Sequence, residues 1–224
     1  MNIFDSRFIS PGDFFVQTFS VPGRYRYGFG PLGVNRGNPA NSPFIINVKE
    51  TSDSEREGRQ HNVIVEQDCG TLKADPPELD IEANDAVLWS PCDHNTPGFS
   101  VSGYSETDSF DSTAMTRQAL YVHTFGSAGV YDWEDSHGQG VSGSVEVTMP
   151  PVNTPREIES YRESLTKAIM VEISGGKVEP KKARALVGQA VCFVVEKADG
   201  ISITDCKMTG KIPAPHSPDS PGKC

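Results

Sequence analysis

The sequence predicts an all-β fold, and two features of its 224 residues indicate this class. Runs rich in Val, Ile, Thr and aromatic residues alternate with polar residues, as half-buried strands do. The 21 Gly and 17 Pro residues that separate these runs are typical of many tight turns. No apolar run approaches the ~20 residues that a membrane-spanning helix needs. We therefore expect β-sandwich architecture, with helix confined to one short connection.

The strand-like segments form two related groups. Segment 15–27 (FVQTFSVPGRYRY) aligns with segment 121–133 (YVHTFGSAGVYDW), and each continues through a Gly-rich loop into a short alternating strand, at 44–48 and 144–147. The strands at 62–67 and 78–89 are echoed at 168–174 and 182–193. Both spacings imply a period of about 105 residues, which is a normal size for one β-sandwich domain.

This order predicts a domain organisation of half, whole and half. Segment 12–49 is the C-terminal half of a unit, 61–149 is a complete unit, and 166–210 is an N-terminal half. A half sandwich leaves a sheet face and strand edges exposed, so the halves need partners. Three arrangements remain open: 12–49 pairs with 166–210 within one chain, the halves pair between chains as rings or filaments, or the chain belongs to a longer tandem array.

The connections between these segments have distinct compositions. Residues 50–60 are polar and charged, which is typical of a linker. Thr154, Pro155 and Glu157 form the pattern of a helix N-cap, a first-turn proline and a capping box, so we expect a short helix over about 155–166. Residues 211–224 are Pro-rich, and we expect them to be an extended or disordered tail.

Charge and cysteine content exclude several function classes. The formal net charge of −10 disfavours nucleic acid and anionic membranes as partners, since binding phosphates needs clustered Lys and Arg. The five Cys residues contain no C-x-x-C pair, and their odd number leaves at least one thiol unpaired within the chain. The first residues lack a basic segment followed by an apolar one, so no signal peptide is visible. No nucleophile-elbow, Walker or H-E-x-x-H motif is present, so we expect no enzymatic activity.

The stretch 125–147, FGSAGVYDWEDSHGQGVSGSVEV, predicts a hairpin followed by a loop that returns into a strand. It resembles the copper-loop end of a cupredoxin, whose pattern is roughly F-x-x-x-G-x-Y-x-Y-x-C-x-x-H-x-x-x-M-x-G-x-V-x-V. The resemblance implies Greek-key cupredoxin-like β-sandwiches, one contiguous and one built from the N- and C-terminal segments. It also favours an extracellular or surface-associated location, because cupredoxins are usually exported.

The resemblance implies a metal site from which the thiolate is missing. His94 matches the early histidine ligand, His137 the late one, and Val141 the axial methionine. Glu134 occupies the cysteine position when counted back from His137. Counted forward from Tyr131 that position is Asp135, because the loop is one residue short. Carboxylate oxygen is a hard ligand that suits Cu(II), Zn(II) or Mn(II). The implied site is therefore a non-blue centre of His94, Glu134 and His137, with Asp135 as the substitute carboxylate.

Two alternatives to this metal site remain open. In the first, the fold has lost its metal, and His94 and His137 remain as relics or as hydrogen-bonded loop residues. In the second, Cys92 supplies a thiolate ligand from the other loop. The outer unit has Gly28 and Ala198 near ligand positions, so we expect no copper there.

The remaining histidines give no support to a site. His123 is in phase with Tyr121 and Phe125, which predicts an interior or rim residue with a hydrogen-bond partner. His61 opens a strand beside the linker, and His216 lies in the tail.

Two functional hypotheses follow from these observations. The first is a non-catalytic structural or interaction protein that uses its sandwiches in a larger assembly, with a protein partner or by self-assembly, and without a cofactor. The second is a metal-binding or redox cupredoxin that holds Cu(II) in its central unit.

Overall fold

The computed structural model describes residues 4–30, 42–51 and 56–205, and these fold into eighteen strands and one helix. The first nine strands are β1 (Asp13–Thr18), β2 (Gly23–Gly30), β3 (Phe44–Lys49), β4 (Gln60–Asp68), β5 (Thr71–Asp75), β6 (Glu78–Glu82), β7 (Ala86–Pro91), β8 (Ser100–Tyr104) and β9 (Ser109–Asp111). They are followed by β10 (Met115–Thr116), β11 (Ala119–Thr124), β12 (Gly129–Glu134), β13 (Ser142–Thr148), α1 (Pro155–Leu165), β14 (Ile169–Ser174), β15 (Lys177–Glu179), β16 (Lys182–Leu186), β17 (Ala190–Lys197) and β18 (Asp199–Ile201).

The predicted all-β, sandwich-like class is confirmed. One eight-stranded sheet runs through the molecule in the order β15-β14-β17-β11-β1-β7-β4-β5. A five-stranded sheet (β6-β3-β2-β8-β9), a three-stranded sheet (β12-β13-β16) and a β10-β18 pair complete the fold. The predicted Pro-rich tail, 211–224, lies outside the described residues, as does most of the Gly-rich loop after Gly30. No helix in the described part of the chain is long and apolar enough to cross a membrane.

The same order of strand pairings occurs on both sides of the eight-stranded sheet. Strand β7 is antiparallel to β1 and parallel to β4, while β17 is antiparallel to β11 and parallel to β14. In the smaller sheets β3 runs parallel to β6, and β13 runs parallel to β16. Two similar strand sets therefore share one continuous sheet.

These pairings correct the predicted assembly of the half-units. The strands of 12–49 pair with β6, β7 and β8, which follow them in the chain, and not with strands of 166–210. The strands of 166–210 pair instead with β11 and β13. No described strand pair joins 60–111 with 119–148, so segment 61–149 is not one hydrogen-bonded unit. Loop-closure entropy favours this outcome, because each half is completed by its nearest neighbour in sequence.

Antiparallel pairing of β1 with β11 joins the two strand sets. Phe15 lies opposite Tyr121 at the centre of this pairing, and both side chains are completely buried. On one side Phe15 stacks on Trp89 at 5.7 Å between ring centroids, and on the other Tyr121 stacks on Phe193 at 6.1 Å. Aromatic side chains therefore fill the interior across the join, where each buries a large apolar area.

The smaller sheets cover this aromatic layer. In the first strand set Tyr27 of β2 lies 5.7 Å from Trp89 of the large sheet, ring to ring. In the second set Trp133 of β12 lies 5.4 Å from Phe193, edge to face. Both contacts are formed by inward residues of alternating strands, as expected for two sheets packed face to face.

The predicted helix is confirmed as α1. Thr154 is its N-cap, Pro155 stands in its first turn, and the Thr154 and Glu157 side chains exchange both hydrogen bonds of a capping box. The helix buries none of its residues. It is anchored instead by hydrogen bonds from Tyr161 Oη to the Val187 carbonyl (2.6 Å) and from Gln189 Nε2 to the carbonyl of Ser164 (3.0 Å).

The described end of the predicted linker is held by Asp85, which is almost completely buried. Its carboxylate accepts hydrogen bonds from the Arg59 backbone N–H (2.8 Å) and from His61 Nε2 (2.9 Å), and it pairs with Arg56 at 3.0 Å. Burial by itself would raise the pKa of Asp85, but these donors lower that pKa to about 2. The end of the linker that precedes β4 is thus held by hydrogen bonds and an ion pair to Asp85. We call these contacts the charged anchor.

We predict that this anchor loses its stabilising effect in acid. A carboxyl whose folded pKa is depressed contributes stability above its unfolded pKa, and the contribution disappears as pH falls through the folded pKa. From the lowering of the pKa to about 2 we expect a loss of about 2 kcal/mol between about pH 5 and pH 2.

Urea unfolding of the wild type and of Asp85→Asn across this pH range measures the loss. The difference in free energy of unfolding between the two proteins should shrink by that amount toward pH 2. Parallel pH profiles would contradict the assignment.

Candidate functional site

The turn that follows β12 carries the predicted late ligands, and it is closed by the Asp135 carboxylate. This side chain is 9 % exposed. Its Oδ1 atom accepts from the backbone N–H groups of Ser202 (2.9 Å) and His137 (3.1 Å), and Oδ2 accepts from that of Gln139 (2.8 Å). Three backbone donors therefore satisfy a carboxylate that is turned away from solvent.

A buried ion pair lies beside this turn. The Arg7 guanidinium donates to Asp5 through Nε (2.8 Å) and Nη2 (2.6 Å), and both side chains are at most 2 % exposed. Arg7 Nη1 also donates to Ser136 Oγ (3.2 Å), and Thr204 Oγ1 donates to Asp5 Oδ2 (2.9 Å). We call these four residues, together with Asp135 and Ser202, the Arg7 cluster.

The N-terminal segment carries two of the six residues of this cluster, Asp5 and Arg7, and contacts both strand sets. Ile9 forms an isolated antiparallel bridge with Phe99 in the first set. Asp5 forms a similar bridge with Thr204 in the second set, and the Ser6 N–H donates to the Ile203 carbonyl (2.9 Å). The segment therefore fastens the two sets at the end of the molecule where the predicted site lies.

The predicted metal ligands occupy different environments. His137 is half-buried, and its Nε2 lies 2.7 Å from the Thr113 carbonyl oxygen, so Nε2 carries the proton. Glu134 is exposed, and its backbone exchanges two hydrogen bonds with Thr204 (3.0 and 3.2 Å). His94 is exposed in the loop after β7. Among the described residues no group of three or more His, Cys, Asp or Glu side chains is arranged to hold a metal ion.

The structure also shows the position of Cys92, the alternative thiolate ligand. Cys92 is an exposed free thiol at the end of β7, and Cys69 is likewise exposed and free. Cys92 is thus neither a buried thiol nor a disulfide partner of Cys69.

The prediction for His123 is confirmed. This histidine is 3 % exposed, and its Nδ1 lies 2.5 Å from Asp13 Oδ1 across the β1–β11 pairing. Asp13 also accepts from the Ser10 hydroxyl (2.7 Å). Burial, followed by the carboxylates of Asp13 and Asp5, raises the pKa of Tyr121 well above its ordinary value.

This His–Asp pair resembles a general-base arrangement but lacks access. His123 Nε2 is buried without a hydrogen-bond partner among the described residues, and it lies among aromatic rings, with Phe125 at 4.4 Å and Phe4 at 5.0 Å. A general base must reach the proton that it abstracts. A ring enclosed in this way supports the fold rather than a reaction.

An open groove of about 430 Å³ lies next to the turn. It is lined by Asp132 and Glu134 of β12, by Ser142 and Ser144 of β13, and by Lys181 and Lys182, among others. Charges of both signs line this groove, so it offers no concentrated field for a cation or an anion.

The sequence analysis did not identify Arg7 as a residue of this site. Arg7 lies before the first predicted strand, in a segment without hydrophobic alternation, and its partners Ser136 and Thr204 are far away in sequence. An arginine preceded by an acidic residue two positions earlier is too common to indicate a buried pair. Asp135 was recognised as a candidate, but for metal binding and not for closing the turn.

Comparisons with known proteins give no assignment for this chain. No family model, curated protein or solved structure matches it. Interpretation of the Arg7 cluster therefore depends on its geometry and chemistry.

We predict that Arg7→Met destabilises the protein by about 3–5 kcal/mol, because it leaves the Asp5 carboxylate buried without its charge partner. The double variant Asp5→Asn/Arg7→Met should recover most of this loss. Arg24→Met, at an exposed arginine of β2, is the matched control and should stay within about 0.5 kcal/mol of the wild type.

The measurement is the free energy of unfolding from urea titrations of the four proteins. A loss for Arg7→Met no larger than that for Arg24→Met would show that the ion pair does not stabilise this end of the molecule.

Proposed function

We propose that this chain is a non-catalytic structural or interaction protein with cupredoxin-like Greek-key sandwiches and without a type 1 copper centre. The observation that carries the proposal is the hydrogen bonding at the late turn. The Asp135 carboxylate, which replaces the family's thiolate in one alignment, is fully used by backbone donors within the chain.

The hydrogen bonds of Arg7 support the same proposal. The Arg7 guanidinium stays protonated at any pH that the protein survives, and it donates to Ser136, the residue between Asp135 and His137. Asp5 neutralises the Arg7 charge within the buried pair, so the pair holds the turn through hydrogen bonds and adds no net charge to it.

Architecture gives further support. The two strand sets pair in the same order and share an eight-stranded sheet, which suits two copies of one sandwich unit joined edge to edge through β1 and β11. At the join Asp13 and His123 are hydrogen-bonded to each other, and the His123 ring is enclosed by aromatic rings. Such a body is a rigid building block rather than a catalyst.

The metal-binding alternative rests on one specific observation. Donation from His137 Nε2 to Thr113 leaves Nδ1 as the unprotonated nitrogen, and Nδ1 has no described hydrogen-bond partner. A neutral imidazole nitrogen of this kind is able to bind Cu(II). The two proposals therefore differ over whether Nδ1 of His137 binds a metal ion.

Two alanine variants of the metal-stripped protein separate the proposals. We expect His137→Ala to lower the free energy of unfolding by about 1 kcal/mol, through loss of one hydrogen bond, whether or not Cu(II) is present. We expect His94→Ala, at an exposed loop residue, to change it by less than about 0.5 kcal/mol.

Copper titration, followed by elemental analysis and electron paramagnetic resonance, completes the test. The structural proposal predicts no stoichiometric Cu(II) retained by the wild type and no difference between the variants. One tightly bound Cu(II) that is lost in both His94→Ala and His137→Ala would overturn it in favour of the metal-binding alternative.

A further inference from the structure

His123 carries an interior nitrogen atom that no described group of the protein uses. Its Nδ1 atom lies 2.5 Å from Asp13 Oδ1, so the carboxylate orients the ring and holds the proton on Nδ1. Its Nε2 atom is buried without a hydrogen-bond partner among the described residues. Native proteins rarely keep such an atom, because its lost hydration is not compensated. The residues that cover Nε2 therefore determine whether it can meet solvent.

The imidazole ring is covered in part by residues 4–9, which we call the N-terminal strap. Phe4 of the strap is 1 % exposed, and its ring centroid lies 5.0 Å from that of His123. The same Phe4 ring contacts Phe125 at 5.0 Å and Phe193 at 5.6 Å. Phe4 thus forms one wall of the aromatic cage around His123, and withdrawal of the strap would open that wall.

The strap is fastened to the body at two separate places. Asp5 forms an isolated bridge with Thr204 in the second strand set, and Ile9 forms one with Phe99 in the first. Neither contact extends into a ladder, whereas β1 alone pairs with β11 over five residues. A segment held by isolated bridges opens at a lower free energy than a strand inside a ladder.

The polar side chains of the strap continue toward His123 through Tyr121. Asp5 holds Arg7 in the buried ion pair, and the Tyr121 hydroxyl lies 3.4 Å from His123 Nδ1. Burial raises the pKa of Tyr121 most, and the charges of Asp13 and then Asp5 raise it further. The Tyr121 hydroxyl is therefore within reach of both carboxylates, and the strap and the His123 ring share one polar network.

The first strand set shows what the strap replaces in the second. In the first set β8 pairs with β2, and β9 follows β8 after a short turn and pairs with it. In the second set Thr204 pairs with Glu134 of β12, and Asp5 of the strap takes the place beside Thr204. Asp5 and Thr204 are 199 positions apart, so no short turn holds them together. This contact can open while the sheets remain paired.

The connection between the strap and β1 has a suitable hinge. Pro11 and Gly12 are both exposed. Gly12 has a φ angle of +97°, in the left-handed region that favours glycine, and a Cβ atom placed there would meet no heavy atom within 4 Å. Hinges are typically a few residues at the end of an element that absorb a change in φ and ψ.

We propose that the N-terminal strap is a latch over His123, which opens and closes as one unit while both strand sets stay folded. In the closed form Phe4 and the Asp5–Arg7 pair seal the imidazole. In the open form Nε2 faces solvent while Asp13 still holds Nδ1, and such a nitrogen accepts protons and attacks electrophiles. The latch thus controls the access of small solutes to His123, which goes beyond the structural role proposed above and involves no metal.

The test labels the full chain with diethyl pyrocarbonate, which acylates an unprotonated imidazole nitrogen with loss of ethanol and carbon dioxide. Mass spectrometry measures the rate at each histidine, and the exposed His94 is the reference within the same sample. His123 of the wild type should react more slowly than His94. Its rate should hardly change as urea is raised below the unfolding transition, because opening of the strap exposes little surface.

Hydrogen exchange of backbone amides gives the scale for this comparison. The Ser6 and Ile9 amides of the strap should show the same weak dependence on urea as the labelling of His123, whereas amides of β1 and β11 should show the steep dependence of global unfolding. Labelling of His123 that rises as steeply as exchange in β11 overturns the proposal. So do Ser6 and Ile9 amides that follow different dependences, since the strap would not be one unit.

Two matched variants test whether the strap acts as a unit. Ile9→Ala changes the bridge to the first strand set and should speed the labelling of His123 by about 30-fold or more, as expected for loss of a buried isoleucine side chain. Ile46→Ala is the same change at a residue of β3 that is equally buried, and it should leave this labelling unchanged. Equal rates in the wild type and Ile9→Ala, or equal increases in both variants, contradict the latch.

Arg7→Met provides a second variant in case Ile9→Ala does not fold, which circular dichroism would reveal. It leaves Asp5 buried without its charge partner in the closed form only, so labelling of His123 should rise by about 100-fold or more. Arg24→Met is again the control and should leave the rate unchanged. A rate for Arg7→Met no higher than that for Arg24→Met overturns the latch and leaves the copper test of the proposed function unaffected.

Discussion

The fold depends on the antiparallel pairing of β1 with β11. This pairing converts two strand sets into one eight-stranded sheet, with Phe15 opposite Tyr121 at its centre. Without it, each set would end at an edge strand with unpaired backbone groups, which invites non-native association. The Asp13–His123 hydrogen bond crosses the same pairing in the buried interior, where a misplaced partner would leave both polar groups unsatisfied. The register is therefore fixed by polar and aromatic contacts together.

The Arg7 cluster connects the two strand sets of this shared sheet at one end of the molecule. The N-terminal segment that supplies Asp5 and Arg7 crosses from Phe99 in one strand set to Thr204 in the other. The cluster thus closes the end of the molecule where the late turn lies, through hydrogen bonds and the Arg7–Asp5 ion pair. A buried ion pair adds little net stability compared with apolar packing, but it is strongly destabilising when only one partner is removed. Its proposed role is to specify one arrangement of the turn.

Local features were predictable from sequence, whereas long-range partners were not. The Thr154–Glu157 capping box and the inward phase of His123 depend on neighbouring residues, so periodicity and capping rules were sufficient. The partner of segment 12–49 was left open by the sequence, because the strands of 60–91 and those of 166–210 show the same alternation and only loop closure distinguishes them. The role of Asp135 was obscured for a similar reason: its partner Ser202 lies far away in sequence.

Backbone nuclear Overhauser effects in the isotope-labelled chain test the central claim most directly. Our account predicts interstrand contacts from Phe15 to Trp89 on one side and to Tyr121 on the other, both within the same molecule. Contacts from β1 to strands of 166–210, or from β11 to strands of 60–91, would contradict it. In that case the halves would assemble as a different pair of units, and the shared eight-stranded sheet would not exist.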